Sequence, residues 1–200
     1  MYKRQPLIAG NRVSLLFDGP ATMRAMINAA KAATSSINLQ TYIFDQDPIG
    51  LEFADVLIEK QKAGVQVNVM YDAVGALATP AEFFDRMRAA GIRVLAFNPI
   101  NPAKAKGHWD LNNRNHRKLM VVDGRIAFTG GINISSTYAN SSLFRRRAKA
   151  VDAAKVGWRD THVRIEGPAV APLQWSFVDL WVRQEGGELP QADYLSLIHI

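Results

Sequence analysis

The feature that most constrains the fold is an alternation of helix-period and strand-period segments across roughly the first hundred residues, joined by short turns. Asp18-Gly19-Pro20 reads as a helix start, with the proline in the first turn, and Met23, Met26, Ile27 and Ala30 follow at helical spacing until Thr34-Ser35-Ser36 breaks the pattern. Ile37 to Phe44 is rich in β-branched and aromatic residues and reads as a strand. Pro48 opens a second helix through Leu51, Phe53, Val56, Leu57 and Lys60, stopped by Gly64. Val65 to Tyr71 alternates apolar and polar as a second strand; Pro80 to Ala90 is a third helix stopped by Gly91, and Ile92 to Phe97 a third strand. This order predicts an α/β fold with a mixed, mostly parallel sheet flanked by helices.

The second half is read differently. Asn98 to Asn115 has no apolar period and is a loop long enough to suggest a functional role. Arg117 to Val122 and Arg125 to Thr129 flank Asp123-Gly124, a strong hairpin signal. Ser135 to Val156 reads as a polar surface excursion, Trp158 to Glu166 as a strand, and Pro168 to Arg183 as a closing helix carrying Leu173, Trp175, Phe177, Leu180 and Trp181. The domain reading is an extension over residues 1–10, one lobe over 11–186, and a truncated tail or linker over 187–200. The abrupt C-terminus leads us to expect a piece of a longer protein.

Charge and composition restrict the chemistry. The 200 residues contain no cysteine, which excludes disulfides, thiolate catalysis and cysteine-ligated metals. A net charge of +6 and a pI of about 9.7 favour an anionic partner: nucleic acid, a phospholipid surface or a phosphate ester. No apolar run approaches the ~20 residues that cross a bilayer, and Met1 to Gly10 has no signal-peptide core, so membrane contact by these segments is expected to be peripheral.

The chemistry concentrates around His116. Residues two apart on a strand share a face, so His116 and Lys118 project together while Arg117 turns the other way. Imidazole is nucleophilic near neutral pH and can carry a phosphoryl group. A lysine ammonium neutralises non-bridging oxygens as charge builds. Gly130-Gly131 lets backbone N–H groups approach an anion, and Asn133 offers a further donor. Such a site needs neither metal nor cofactor. Taken singly, each residue has a bland reading: a structural histidine, a surface lysine, a turn aspartate. Jointly, H-x-K, four residues, D, six residues, G-G-x-N fixes six positions across 18 residues.

The segment NHRKLMVVDGRIAFTGGIN resembles the HKD motif of the phospholipase D superfamily, and LQTYIFDQDPIG, VNVMYDAVG and WRDTHVRIEGPAV resemble its bacterial cardiolipin synthase branch; the resemblance covers roughly Asn11 to Gly186. It implies that His116 is the nucleophile or its acid/base counterpart, Lys118 a phosphate clamp, and Asn133, with Gly130 and Gly131, a phosphate contact. It also brings Asp123 into the motif, in a role more structural than catalytic. Asp160 would hydrogen-bond the far ring nitrogen of the histidine. The activity implied is phosphatidyl transfer between anionic phospholipids through a phosphohistidine, by a peripheral protein on the cytoplasmic face of a bacterial inner membrane.

One departure matters. The lipid-active members carry two such motifs, and this chain has one: His108 and His162 are followed two residues on by Asp110 and Arg164, and His199 by the chain end. A second histidine must come from a second half in cis or from a homodimer partner. The alternatives are a homodimeric phosphodiesterase or nuclease, for which nucleic acid is the less favoured substrate, and a non-catalytic fragment that binds anionic phosphate. Lys104, Lys106, Arg114, Arg145, Arg146 and Arg147, with Arg117 beside the motif, fit headgroup or membrane contacts or a solvated basic surface equally well. Trp109 fits a lipid interface or a loop anchor. Tyr42 and Asp72 end their strands, where sites on open α/β sheets lie, though Tyr42 is expected to pack in the core. Trp175, Phe177 and Trp181 fit the core or an interface to a second half.

Overall fold

The computed structural model describes residues 8–101, 113–139, 160–184, 186–187 and 189. Their elements run β1 (Arg12–Leu16), α1 (Gly19–Ala32), β2 (Ser36–Thr41), α2 (Pro48–Lys62), β3 (Gln66–Asp72), α3 (Ala81–Ala89), β4 (Arg93–Phe97), β5 (Leu119–Val122), β6 (Ile126–Gly130), α4 (Ser136–Ala139), β7 (His162–Glu166) and α5 (Val170–Arg183). The strands form one sheet in the order β1-β7-β6-β5-β2-β3-β4.

The helix starts follow from side chains that satisfy orphan N–H groups. Asp18 accepts from Ala21 N at 2.7 Å, and Asp47 accepts from Ile49 N and Gly50 N at 3.0 and 2.9 Å. In both helices a proline sits in the first turn, where its missing N–H costs nothing.

The mixed α/β sheet flanked by helices stands, but its expected parallel majority does not. Only β2–β3 and β3–β4 are parallel; the other four pairings are antiparallel. The reason is connection length. Crossover helices link β2, β3 and β4, whereas the tight Asp123-Gly124 turn can only return the chain antiparallel. Strand β1 escaped the sequence reading because four of its five residues are exposed and its apolar pattern is weak. The strand read over Ile37 to Phe44 stops at Thr41, after which Phe44 bridges to Ile134.

The central strands β2 and β5 are buried on both faces. Along β5 the side chains alternate: Met120 and Val122 join Ile37, Leu39, Phe53, Leu57 and Phe128 in the core under α1, α2 and α3. Leu119 and Val121 instead meet Phe177, Val178 and Trp181 of α5. Trp175, by contrast, is solvent-exposed on α5, so it is not part of this core.

Candidate functional site

The parallel strands β2 and β3 end side by side, delivering Tyr42 and Asp72 to the rim of the sheet where the chain arrives at β5. The His116 ring stacks on Tyr42 with centroids 3.8 Å apart and an interplanar angle of 18°. Lys118 Nζ lies 5.3 Å from the centroid of the same ring and donates to His116 O at 2.7 Å. One half-buried phenol thus gathers the imidazole and the ammonium, correcting the expectation that Tyr42 packs in the core. The backbone just before His116 is pinned from β3. Asp72, 1% exposed, accepts from Val74 N and Gly75 N through Oδ1 and from Asn115 N at 2.8 Å through Oδ2.

Arg114 is turned inward, with Nη1 3.6 Å from Asp72 Oδ1 and donating to Asn98 O at 3.0 Å. Its guanidinium braces the segment that precedes the histidine, which corrects its reading as an exposed headgroup contact. Lys104, Lys106, Arg145, Arg146 and Arg147, with His108 and Trp109, lie outside the described residues.

The glycine pair has a steric cause the sequence did not show. At Gly130, φ +152°, a Cβ would sit 2.4 Å from Thr161 O; at Gly131 it would sit 2.6 Å from Asp160 Oδ1. The Gly131 N–H is already spent on Thr161 O at 3.0 Å. The pair therefore makes room for the chain entering β7, and the expectation that the Gly131 N–H cradles an anion is corrected. Asn133 is likewise buried at 3% exposure, its Oδ1 accepting from Ile43 N at 3.1 Å and its Nδ2 donating to Tyr138 Oη at 2.8 Å. It braces the end of β2, and the expected contact with phosphate is not what this placement offers.

Asp160 lies against Gly131, and among the described residues it makes no hydrogen bond to His116. Its visible effect is on Lys118. Burial lowers the lysine pKa, and the charges of Asp160 and Asp72 oppose that shift without cancelling it. Two residues on, His162 is 1% exposed and accepts from Ile132 N through Nδ1 at 3.4 Å. Burial, and then the Lys118 charge, push its pKa down to about 4, so it is neutral at physiological pH. No local pattern in the chain singles out this histidine.

Asp123 stands at the opposite end of the hairpin, with β5, roughly 13 Å of strand, between it and Lys118. Its carboxylate accepts from Thr34 N, Ser35 N and Ser36 N and from the Thr34 hydroxyl, at 2.7 to 3.2 Å. Burial alone would raise its pKa, but the bonds from Ser36, Thr34 and Ser35 outweigh it and hold the group below the ordinary carboxylate value. Asp123 locks the hairpin turn to the start of β2.

What remains open to a ligand is small and specific. His116 is exposed, and neither ring nitrogen makes a hydrogen bond among the described residues. A cleft of about 780 Å³ runs from it toward α5, with Phe97, Arg114, Asn115, Arg117 and Arg183 among its walls. An exposed imidazole beside an ammonium suits attack on a phosphorus centre. Among the described residues no group of three or more His, Asp or Glu is placed to hold a metal ion.

Comparison with known proteins bears on the family and the fold. Residues 23–143 match the family model described as cardiolipin synthase, PLD-like domain. Cardiolipin synthase A of Pseudomonas fluorescens is 36% identical over 178 residues, covering 89% of this chain and 35% of that protein. Cardiolipin synthase A of Pseudomonas entomophila is 39% identical over 183 residues, with the same coverage. The chain thus spans about a third of the length of these relatives. Among solved structures, the phospholipase D family member Nuc from Salmonella typhimurium superposes with a TM-score of 0.59 at 18% identity, covering 87% of this chain and 96% of that one. NucT from Helicobacter pylori gives 0.60 at 13% identity, covering 87% and 98%. Phosphatidylserine synthase from Haemophilus influenzae gives 0.60 at 17% identity, covering 93% and 41%. At these identities the structures speak to the fold alone.

Proposed function

Since the chain belongs to the family of cardiolipin synthase PLD-like domains, we propose that it is the nucleophile-bearing half of a phosphatidyltransferase. The observation that carries this reading is the exposed His116 imidazole, held flat on Tyr42 beside the Lys118 ammonium.

A ring nitrogen of His116 attacks the phosphorus of an anionic phospholipid, forming a P–N bond as the P–O bond to the headgroup alcohol breaks. Lys118 takes the charge on the non-bridging oxygens. Asp160 and Asp72 favour the charged form of that lysine. The leaving alkoxide takes a proton from a second histidine. The hydroxyl of an acceptor phospholipid then gives its proton to that histidine and attacks phosphorus, releasing His116. The donor–acceptor pair we favour is two phosphatidylglycerols, yielding cardiolipin and glycerol, with no cofactor. The second histidine belongs to a second HKD half in cis, consistent with the chain's 35% share of its relatives. We place residues 11–186 as the catalytic lobe, on the cytoplasmic membrane surface, with Lys104, Lys106 and Arg145 to Arg147 meeting anionic headgroups. No helix among the described residues is long and apolar enough to cross a membrane.

Replacing His116 by Ala in the complete protein should abolish transfer and the acid-labile phosphoryl adduct, a loss on the order of 10⁴-fold or more. Near-normal turnover by that variant would sink the assignment. A second reading, a homodimeric phosphodiesterase, is favoured by one observation: this lobe covers 96% and 98% of two solved chains of the same fold. Sedimentation of the purified chain, together with a DNA-cleavage assay, separates the two.

A further inference from the structure

The two cations beside the proposed nucleophile turn to different neighbours. Lys118 shares the Tyr42 side with His116, while Arg117 points to α5, its Nη1 donating to Ser176 Oγ at 3.1 Å. Arg117 lines the 780 Å³ cleft, and so does His116, so the cleft opens directly beside the proposed nucleophile. Two other guanidiniums line it, each with an acidic neighbour: Arg114 lies 3.6 Å from Asp72, and Arg183 lies 3.0 Å from Asp179. Arg117 has only a neutral hydroxyl as a side-chain partner among the described residues. A guanidinium presents five N–H donors in a planar fork that suits phosphate oxygens, so among the described residues most of its capacity is unspent. Asn113 and Gln184 line the same cleft; Gln184 Oε1 already accepts from Asn98 N at 3.2 Å, which leaves its amide N–H groups and the Asn113 carboxamide to suit hydroxyl groups, while Phe97 and Leu180 give the cleft apolar wall.

We propose that this cleft seats a second phosphate-bearing polyol, with Arg117 holding its phosphate and the neighbouring amides its hydroxyls. The inference rests on the reading of His116 as the nucleophile and adds the place of the second substrate. The phosphodiester under attack lies with Lys118 on the Tyr42 side. The acceptor approaches from the α5 side, its free hydroxyl directed at the phosphorus carried by His116 and its own phosphate, a short polyol bridge away, on Arg117. Holding both anions on cations of opposite faces keeps them apart and favours an alcohol over water as the second nucleophile.

The test uses the purified chain with its first phosphate site removed, His116→Ala/Lys118→Ala, titrated calorimetrically with glycerophosphoglycerol as the probe. The double variant should still bind the diester, and adding Arg117→Gln should weaken it on the order of tenfold, the value of one charge-assisted phosphate contact. Because Arg117 is exposed, the substitution is not expected to disturb folding, and circular dichroism verifies this. Loss of all binding in the double variant, or indifference to Arg117→Gln, overturns the cleft assignment. Inorganic phosphate binding as tightly as the diester overturns the polyol part, and tighter Arg117-dependent binding of hexathymidylate overturns the substrate class. The phosphohistidine assay reads the nucleophile separately. A missing adduct with cleft binding intact would refute the proposed reaction, not the site.

Discussion

The two ends of the β5–β6 hairpin are built from one contiguous motif and do opposite things. At the turn, Asp123 is saturated: three backbone N–H groups and a hydroxyl converge on one carboxylate. At the open end, among the described residues, neither ring nitrogen of the exposed His116 is bonded and the Lys118 ammonium donates only to a carbonyl. Saturation spends a group's bonding capacity on the fold, while an unspent group is left for a ligand. A motif match does not distinguish these cases, because both residues belong to it.

The contrast can be broken at four points. Lys118→Ala should leave stability within about 0.5 kcal/mol yet slow phosphoryl-adduct formation by roughly 10²–10³-fold. A stability loss with unchanged adduct rate would reverse the roles assigned to the two ends. His162 sharpens the comparison, since it lies beside the site but is buried. Its folded pKa, about 4, is below the ordinary 6.5, so the unfolded chain binds more protons between these values and stability falls as pH drops through that window. The contribution is about 3 kcal/mol in all. Urea unfolding at pH 7.5 and 4.5 should show it, and His162→Gln should flatten the difference.

Asp123→Ala should cost about 2 kcal/mol while leaving the adduct rate per folded molecule near normal. The sign of its pH dependence follows from its depressed pKa. The stabilisation is present above the unfolded value, ordinarily near 3.9, and fades as pH falls through the lower folded one. Tyr42→Ala should slow adduct formation about tenfold by freeing the imidazole, and Tyr42→Phe should restore it, because stacking needs the ring and not the hydroxyl. Equal loss in both variants would point to the phenol itself.

Much of the fold was legible. The α1, α2 and α3 segments announced themselves by proline or aspartate starts and apolar spacing, and β5–β6 by Asp123-Gly124. The edge strand β1 was not, because an exposed strand carries little apolar signal. At the site, His116 and Lys118 were identifiable from spacing, but the roles of their neighbours were not. Gly131 seemed to make space for phosphate and makes it for Asp160; Asn133 seemed a ligand and is a buried brace; Arg114 seemed a surface cation and turns toward Asp72. Each error has the same source: residue type tells what a group can bond to, not which partner reaches it first.

By itself the sequence determined the helix–strand order from α1 to β6, the hairpin turn and the chemical identity of the proposed nucleophile and its cation, since these depend on local periodicity and side-chain type. Tertiary structure alone decided that Tyr42 carries the imidazole, that Asp72 pins the segment before it and that Arg117 faces a separate cleft toward α5. Those are contacts between residues dozens of positions apart, set by which strands the sheet places side by side. No local pattern in the chain encodes them.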